Sequence, residues 1–207
     1  MMAILLSKGQ GVSLSKTNPG LSEVFLGLGW DVQSNNNVDC DLDAFAFLLG
    51  GNEKLISDSH LVFYNNLTSP DPNQSVQHMG DNSTGEGEGD DEVIKVNLKK
   101  VPAEVQKIVF AVTIFDAEER KQNFGQVKNA FVRLVNDQNQ EEVLRYNLGE
   151  TSSGATAMIM AELYRQDGGW AMQAVGKAFK GGAQELIDSY TRQQVINWRY
   201  RAPQPRR

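Results

Sequence analysis

The side chains best suited to chemistry crowd into one part of this 207-residue chain, the stretch GDNSTGEGEGDDE from Gly80 to Glu92. Asp81, Glu86, Glu88, Asp90, Asp91 and Glu92 supply six carboxylates among four glycines, with no lysine or arginine between them. At an effective dielectric of about 20, two like charges roughly 5 Å apart repel by about 3 kcal/mol. Six together need either an extended, hydrated chain or a multivalent cation. Asp, Glu and Asn oxygens with glycine carbonyls are hard donors of the kind Ca²⁺ gathers in sets of about six to eight. A second array precedes the first: Asp39, Asp41 and Asp43 alternate with Cys40, Leu42 and Ala44, so in an extended strand the three carboxylates share one face. A site for two ions would draw on both arrays. The competing readings are a solvated acidic loop and a solvent-exposed strand end.

Other chemistries fit less well. An EF-hand needs acids at alternate positions, but Ser83 and Gly85 stand third and fifth when Asp81 is counted as first. His60 and His78 have no serine or cysteine at useful spacing, and both read as core or surface histidines. Cys40 lies between Asp39 and Asp41, whose charges disfavour its thiolate, and no Cys/His set has zinc-ligand spacing. The Gly176-Lys177 pair is no phosphate loop, because Ala171 stands where its first glycine belongs and Ala178 replaces the Ser/Thr. A phosphoester hydrolase using Mg²⁺ or Mn²⁺ is the alternative for the carboxylates. The array is rich enough to wrap its ions, which favours binding over turnover, and no enzyme and no small-molecule substrate are expected. Five arginines from Arg192 onward suggest a second alternative, a nucleic-acid or membrane adaptor, but with scarcely any interleaved aromatics. Nucleic acid is not the expected partner.

The elements that must hold these residues read as short strands. Ile4 to Leu6, Val12 to Ser15, Val24 to Trp30 and Leu61 to Tyr64 are β-compatible runs divided by turn residues. Gly27 and Gly29 within the third run suggest a bulge or a close backbone approach. After the acidic stretch, Ile94, Val96 and Leu98 alternate with Lys95, Asn97 and Lys99, a half-buried strand pattern. A helical turn is expected over 103–106 and a short helix or turn over 124–129. Ile108 to Phe115, Ala130 to Val135, Val143 to Asn147, Met158 to Tyr164 and Trp170 to Val175 continue the strands. From Ala183 to Trp198 the apolar spacing predicts an amphipathic helix on the sandwich edge or against a partner. The expected fold is all-β, a sandwich of about ten short strands with short helices and a C-terminal helix, forming a single domain over 1–198. Residues 199–207, RYRAPQPRR, form a basic tail expected to be disordered.

The totals agree. Composition is 40% hydrophobic and 22% charged, ordinary for a globular protein, and no apolar run approaches the ~20 residues that span a bilayer. The net charge of −6 is unevenly spread, since Asp39 to Glu92 holds twelve acids against Lys54 alone. Such local acidity points to cations or basic partners. A single cysteine and a start unlike a secretory signal predict the cytoplasm, where the sequons at Asn66 and Asn82 stay unglycosylated.

LSKGQGVSLSK, GLGWD at 27–31, DLDA at 41–44, FYNN at 63–66, HMGDNSTGEGEGDDEVIKVNL and FGQVKNAFVRL together resemble the TerD family of bacterial tellurium-resistance and general stress proteins, from about Leu5 to Ile187. The resemblance implies a cytoplasmic β-sandwich that binds two calcium ions and has no established enzymatic activity. It also implies partners among stress- and tellurium-resistance proteins, including membrane-embedded ones that would bring the chain to the inner membrane face. Carried over, the calcium ligands are Asp41 and Asp43 from the strand and Asp81, Asn82, Asp90, Asp91 and Glu92 from the loop. Gly85 and Gly87 supply backbone oxygens, Asp31 of GLGWD is an added ligand, and Asp39, Glu86 and Glu88 are outer-shell charges. Cys40 matches no family motif and receives no tellurite-reducing role.

Overall fold

The computed structural model describes residues 3–32, 40–80, 89–147 and 154–191, with only the backbone of Asp31, Val32 and Lys128. In chain order the elements are β1 (Ile4–Leu5), β2 (Gly11–Ser13), α1 (Leu14–Thr17), β3 (Glu23–Val32), β4 (Leu42–Leu49), β5 (Leu61–Val62), β6 (Val76–His78), β7 (Glu92–Asn97), β8 (Lys107–Ile114), α2 (Ala117–Arg120), β9 (Val127–Asn136), β10 (Glu142–Asn147), β11 (Ala157–Gln166), β12 (Gly169–Phe179) and α3 (Gly182–Tyr190). They form two six-stranded sheets, ordered β1-β10-β9-β3-β7-β6 and β2-β12-β11-β8-β4-β5. All neighbours pair antiparallel except β1 and β10. The all-β sandwich expected from strand spacing is present, with twelve strands among the described residues instead of about ten.

Periodicity decides which side chains enter the core. In β7, Glu92, Ile94 and Val96 are buried and alternate with half-buried Val93, Lys95 and Asn97. From β3, Leu26, Leu28 and Trp30 face Leu42, Ala44, Ala46 and Leu48 of β4 within one intersheet core, joined by Phe110 and Val112 of β8 and Val132 and Leu134 of β9. β4 differs in being buried at every position. Its other face, Phe45, Phe47 and Leu49, joins Val109, Ala111 and Ile159 in a second cluster under Ala183, Leu186 and Ile187 of α3. A strand buried on both faces shows a near-continuous apolar run, which AFAFLL is.

Several expectations change here. α3 lies over the outer face of the second sheet, not at an edge, and ends at Tyr190, while 192–207 lie outside the described residues. The turn expected over 103–106 is present, with Val105 N–H donating to Pro102 O at 3.0 Å, whereas 124–129 divides into a single 3₁₀ turn (Phe124–Gln126) and the start of β9. α1 and α2 were not expected at all. The bulge lies in β9, where Asn129 adopts φ 50° and the pairing with β3 shifts between Gly29 and Asp31, so the two glycines of β3 serve the other purpose, close approach. β3 ends, β4 begins, β6 ends, β7 begins and β8 ends at the same end of the sandwich. The described residues flanking 33–39 and 81–88 therefore sit together.

Candidate functional site

The described arm of the acidic stretch runs into β7, and its three acids are directed to three different places. Glu92 begins β7 on the inward period and is 1% exposed. Its Oε2 accepts the Ala44 backbone N–H at 2.5 Å. The need is local: β5 pairs with β4 only at Ala46 and Phe47, so no strand among the described residues accepts from Ala44, and a carboxylate does so through a charge-assisted bond. His78 Nε2 lies 3.4 Å from the same oxygen. Its Nδ1 accepts from Gly80 N–H at 3.2 Å, which places the ring proton on Nε2, facing Glu92. Glu92 thus ties the first sheet to the second beside Asp43.

Asp91 extends the β7–β3 ladder. Its N–H donates to Leu28 O at 2.8 Å and its Oδ2 accepts from Trp30 N–H at 3.0 Å. Asp90 turns to the outer face of the first sheet and lies over Gly27. Arg133 Nε and Nη2 donate to its two oxygens at 2.8 and 2.9 Å, leaving its side chain 7% exposed. A Cβ on Gly27 would collide with the Asp90 carboxyl, and one on Gly29 would meet the Phe131 ring and stand 2.7 Å from Gly89 O. Arg133 Nη1 also donates to Glu142 at 3.2 Å, and Arg145, stacked 4.0 Å over Phe131, grips Glu142 from the other side. Hydrogen bonding to Arg145 and then Arg133 holds the Glu142 carboxyl below its usual range, despite partial burial.

Asp41 and Asp43 do not form a solvent-exposed strand end. They are 2% and 1% exposed, because they continue the row of Phe45 and Phe47 on the covered face of the second sheet. Asp43 pairs across from Thr113, and Asp41 O accepts from Phe115 N–H at 2.8 Å. Beside Asp43 opens a cleft of about 1240 Å³ walled by Tyr64, Phe115, Asp116, Glu118 and the start of α3.

Of the expected ligands, the structure brings Glu92 beside the Asp41–Asp43 strand and keeps Asp91 on β3. The carboxylate of Asp90, also among the expected ligands, is engaged by Arg133 on the opposite face of the sandwich from Asp43. The side chain of Asp31, the residues Asp81, Asn82, Gly85 and Gly87, and the outer-shell Asp39, Glu86 and Glu88 lie outside the described residues. Among the described residues no three His, Cys, Asp or Glu side chains gather around a point that would hold an ion. Sequence reasoning missed Arg133 and the role of His78; a lone arginine in FVRLV, opposite a strand glycine, was the available signal.

The remaining candidates resolve simply. His60 is 9% exposed, its Nδ1 bonded to Ser57 Oγ at 2.8 Å, and burial lowers its pKa. Gly176 and Lys177 lie inside β12, not in a loop before a helix. Cys40 is buried, and its carbonyl accepts from Trp30 Nε1 at 3.2 Å. No helix among the described residues is long and apolar enough to cross a membrane.

Residues 2–190 match the TerD domain family. The chain belongs to the TerD family. It is 55% identical to the tellurium resistance protein TerD of Serratia marcescens over 189 residues, covering 91% of this chain and 97% of that protein. It is 52% identical to general stress protein 16U of Bacillus subtilis (strain 168), over 91% of this chain and 97% of that one. A solved structure of a TerD homologue from Streptomyces coelicolor A3(2) superposes with a TM-score of 0.65 at 20% identity, covering 81% of this chain and 96% of that one, which supports the TerD fold alone. The relatives of this TerD-family chain are thus proteins named for tellurium resistance and general stress.

Proposed function

We propose that the protein is a non-enzymatic, cytoplasmic calcium-binding member of its family, in which about two Ca²⁺ ions join the acidic stretch to the acidic strand and so stiffen a surface for partners. The single observation that carries this reading is the Glu92 Oε2 bond to Ala44 N–H, which ties the arm of one acidic array to the strand that carries the other, at the residue after Asp43. The donor set fits the ion. It is all oxygen, includes three carboxylates buried at 1–2% exposure, and among the described residues offers no sulfur or imidazole cluster for a softer metal. Asp41, Asp43, Asp91 and Glu92, with Asp31, Asp81, Asn82, Gly85 and Gly87, would hold the ions. Bound calcium would supply positive charge where the chain has concentrated acids. The chain's own part is to orient those acids: Trp30 N–H and Leu28 O fix Asp91, and Ala44 N–H and His78 fix Glu92. Partners would be other stress- and tellurium-resistance proteins, including membrane-embedded ones.

A site that exists only in the folded chain makes calcium stabilising, by about 2.7 kcal/mol at a hundred times its dissociation constant. Calorimetric titration of chelator-stripped protein should give binding heat, and melting should shift upward from EDTA to excess Ca²⁺. Absence of both heat and shift would end the calcium reading.

A further inference from the structure

We infer that Asp90 and Arg133 form a positioning latch, which clamps the arm of the acidic stretch across the outer face of β3 and thereby holds Asp91 and Glu92 in place, with Asp90 itself outside the ion-binding set. Its consequence for calcium rests on the function proposed above, whereas the clamp is a matter of the chain's own geometry.

Three features build it. Gly27 stands directly opposite Arg133 in the β3–β9 register and opposite Val93 in the β3–β7 register, and its missing Cβ is the space the Asp90 carboxyl fills. Arg133 presents a planar fork, Nε and Nη2, to both oxygens of Asp90 at 2.8 and 2.9 Å, a geometry an ammonium cannot reproduce. Glu142 on β10, itself gripped by Arg145, takes the remaining Nη1 at 3.2 Å and fixes the plane of the fork. The clamp therefore reaches across β3, β9 and β10, and the next residue, Asp91, enters the ladder through Leu28 O and Trp30 N–H.

Position also separates Asp90 from Asp43. It lies on the outer face of the first sheet and Asp43 on the outer face of the second, and packed sheets are about 10 Å apart. Calcium–oxygen distances are roughly 2.3–2.6 Å, so no single ion is shared by these two carboxylates.

The test uses the full chain as Arg133→Met, Arg133→Lys, Asp90→Asn and the Arg133→Met/Asp90→Asn double variant. In chelator, amide hydrogen exchange at Asp91 and Trp30 should be about tenfold faster in each single variant to Met or Asn, and no faster again in the double. Arg133→Lys, which keeps the charge and loses the fork, guards against misfolding and should lie between. Unchanged exchange overturns the latch whether or not the protein binds metal. In calcium titrations, Arg133→Met should bind about tenfold more weakly, a loss of about 1.4 kcal/mol. Equal or tighter binding by Arg133→Met, with binding lost in Asp90→Asn, would make Asp90 a ligand that Arg133 competes for, and the inference would be wrong. A wild type that binds no calcium contradicts the proposed function instead, and the exchange rates still decide the latch.

Discussion

Gly27→Ala is the substitution whose sign is most informative. Within a strand, alanine is ordinarily better than glycine by roughly 0.5–1 kcal/mol, because glycine loses more backbone freedom on folding. Taken as an ordinary strand position, Gly27 would therefore gain stability on substitution. The structure requires the opposite. The new methyl would occupy the volume of the Asp90 carboxyl, and a group forced into filled space costs about 1–3 kcal/mol, to which any loosening of the bidentate Arg133 contact adds. Set against the alanine gain of roughly 0.5–1 kcal/mol, the net expectation is a destabilisation of about 1–2 kcal/mol, read in urea melts in EDTA so that metal plays no part. The melting temperature should fall by about 2–4 °C per kcal/mol for a chain of this size. In an Asp90→Ala background the obstacle is gone, and Gly27→Ala should become neutral or stabilising. A neutral or stabilising effect in the wild type, or an equal cost in both backgrounds, would refute the close-approach reasoning.

Two further perturbations probe the surroundings. Leu186 is fully buried between α3 and the second sheet, so Leu186→Ala should cost about 2–5 kcal/mol in urea unfolding; a loss under 1 kcal/mol would mean that α3 is not anchored there. Glu142 has a folded pKa lowered by Arg145 and Arg133 from 4.5, so its stabilising contribution is full above about pH 4.5 and is lost as pH falls through the lower folded value. The stability gap between wild type and Glu142→Gln should accordingly narrow on acidification below that point, and a gap that does not change with pH would contradict the ion-pair assignment.

The fold was largely legible because a half-buried strand writes its burial into a period of two, as Ile94, Val96 and Leu98 do against Lys95, Asn97 and Lys99. The four-residue helices α1 and α2 are too short to show any period. The acidic arrays were legible as composition, but composition does not say where a carboxylate points. Asp41 and Asp43 could be read as surface residues because their alternation with Leu42 and Ala44 is what a half-exposed strand end would show; α3 and the aromatic row behind it bury the face they share.

By itself the sequence determined the all-β class, the strand rhythm, the two clusters of hard oxygen donors and the family, since all of these reside in local pattern and motif. Only the tertiary structure decided the fates of consecutive acids. Asp90, Asp91 and Glu92 are neighbours in the chain, yet one meets Arg133 on an outer face, one extends the β3 ladder, and one crosses to Ala44 on the other sheet. The physical reason is that only Glu92 lies within β7 and obeys its period, whereas Asp90 and Asp91 precede the strand and are directed by the partners they meet, and those partners come from residues some 40 to 60 positions away, whose placement no local pattern records.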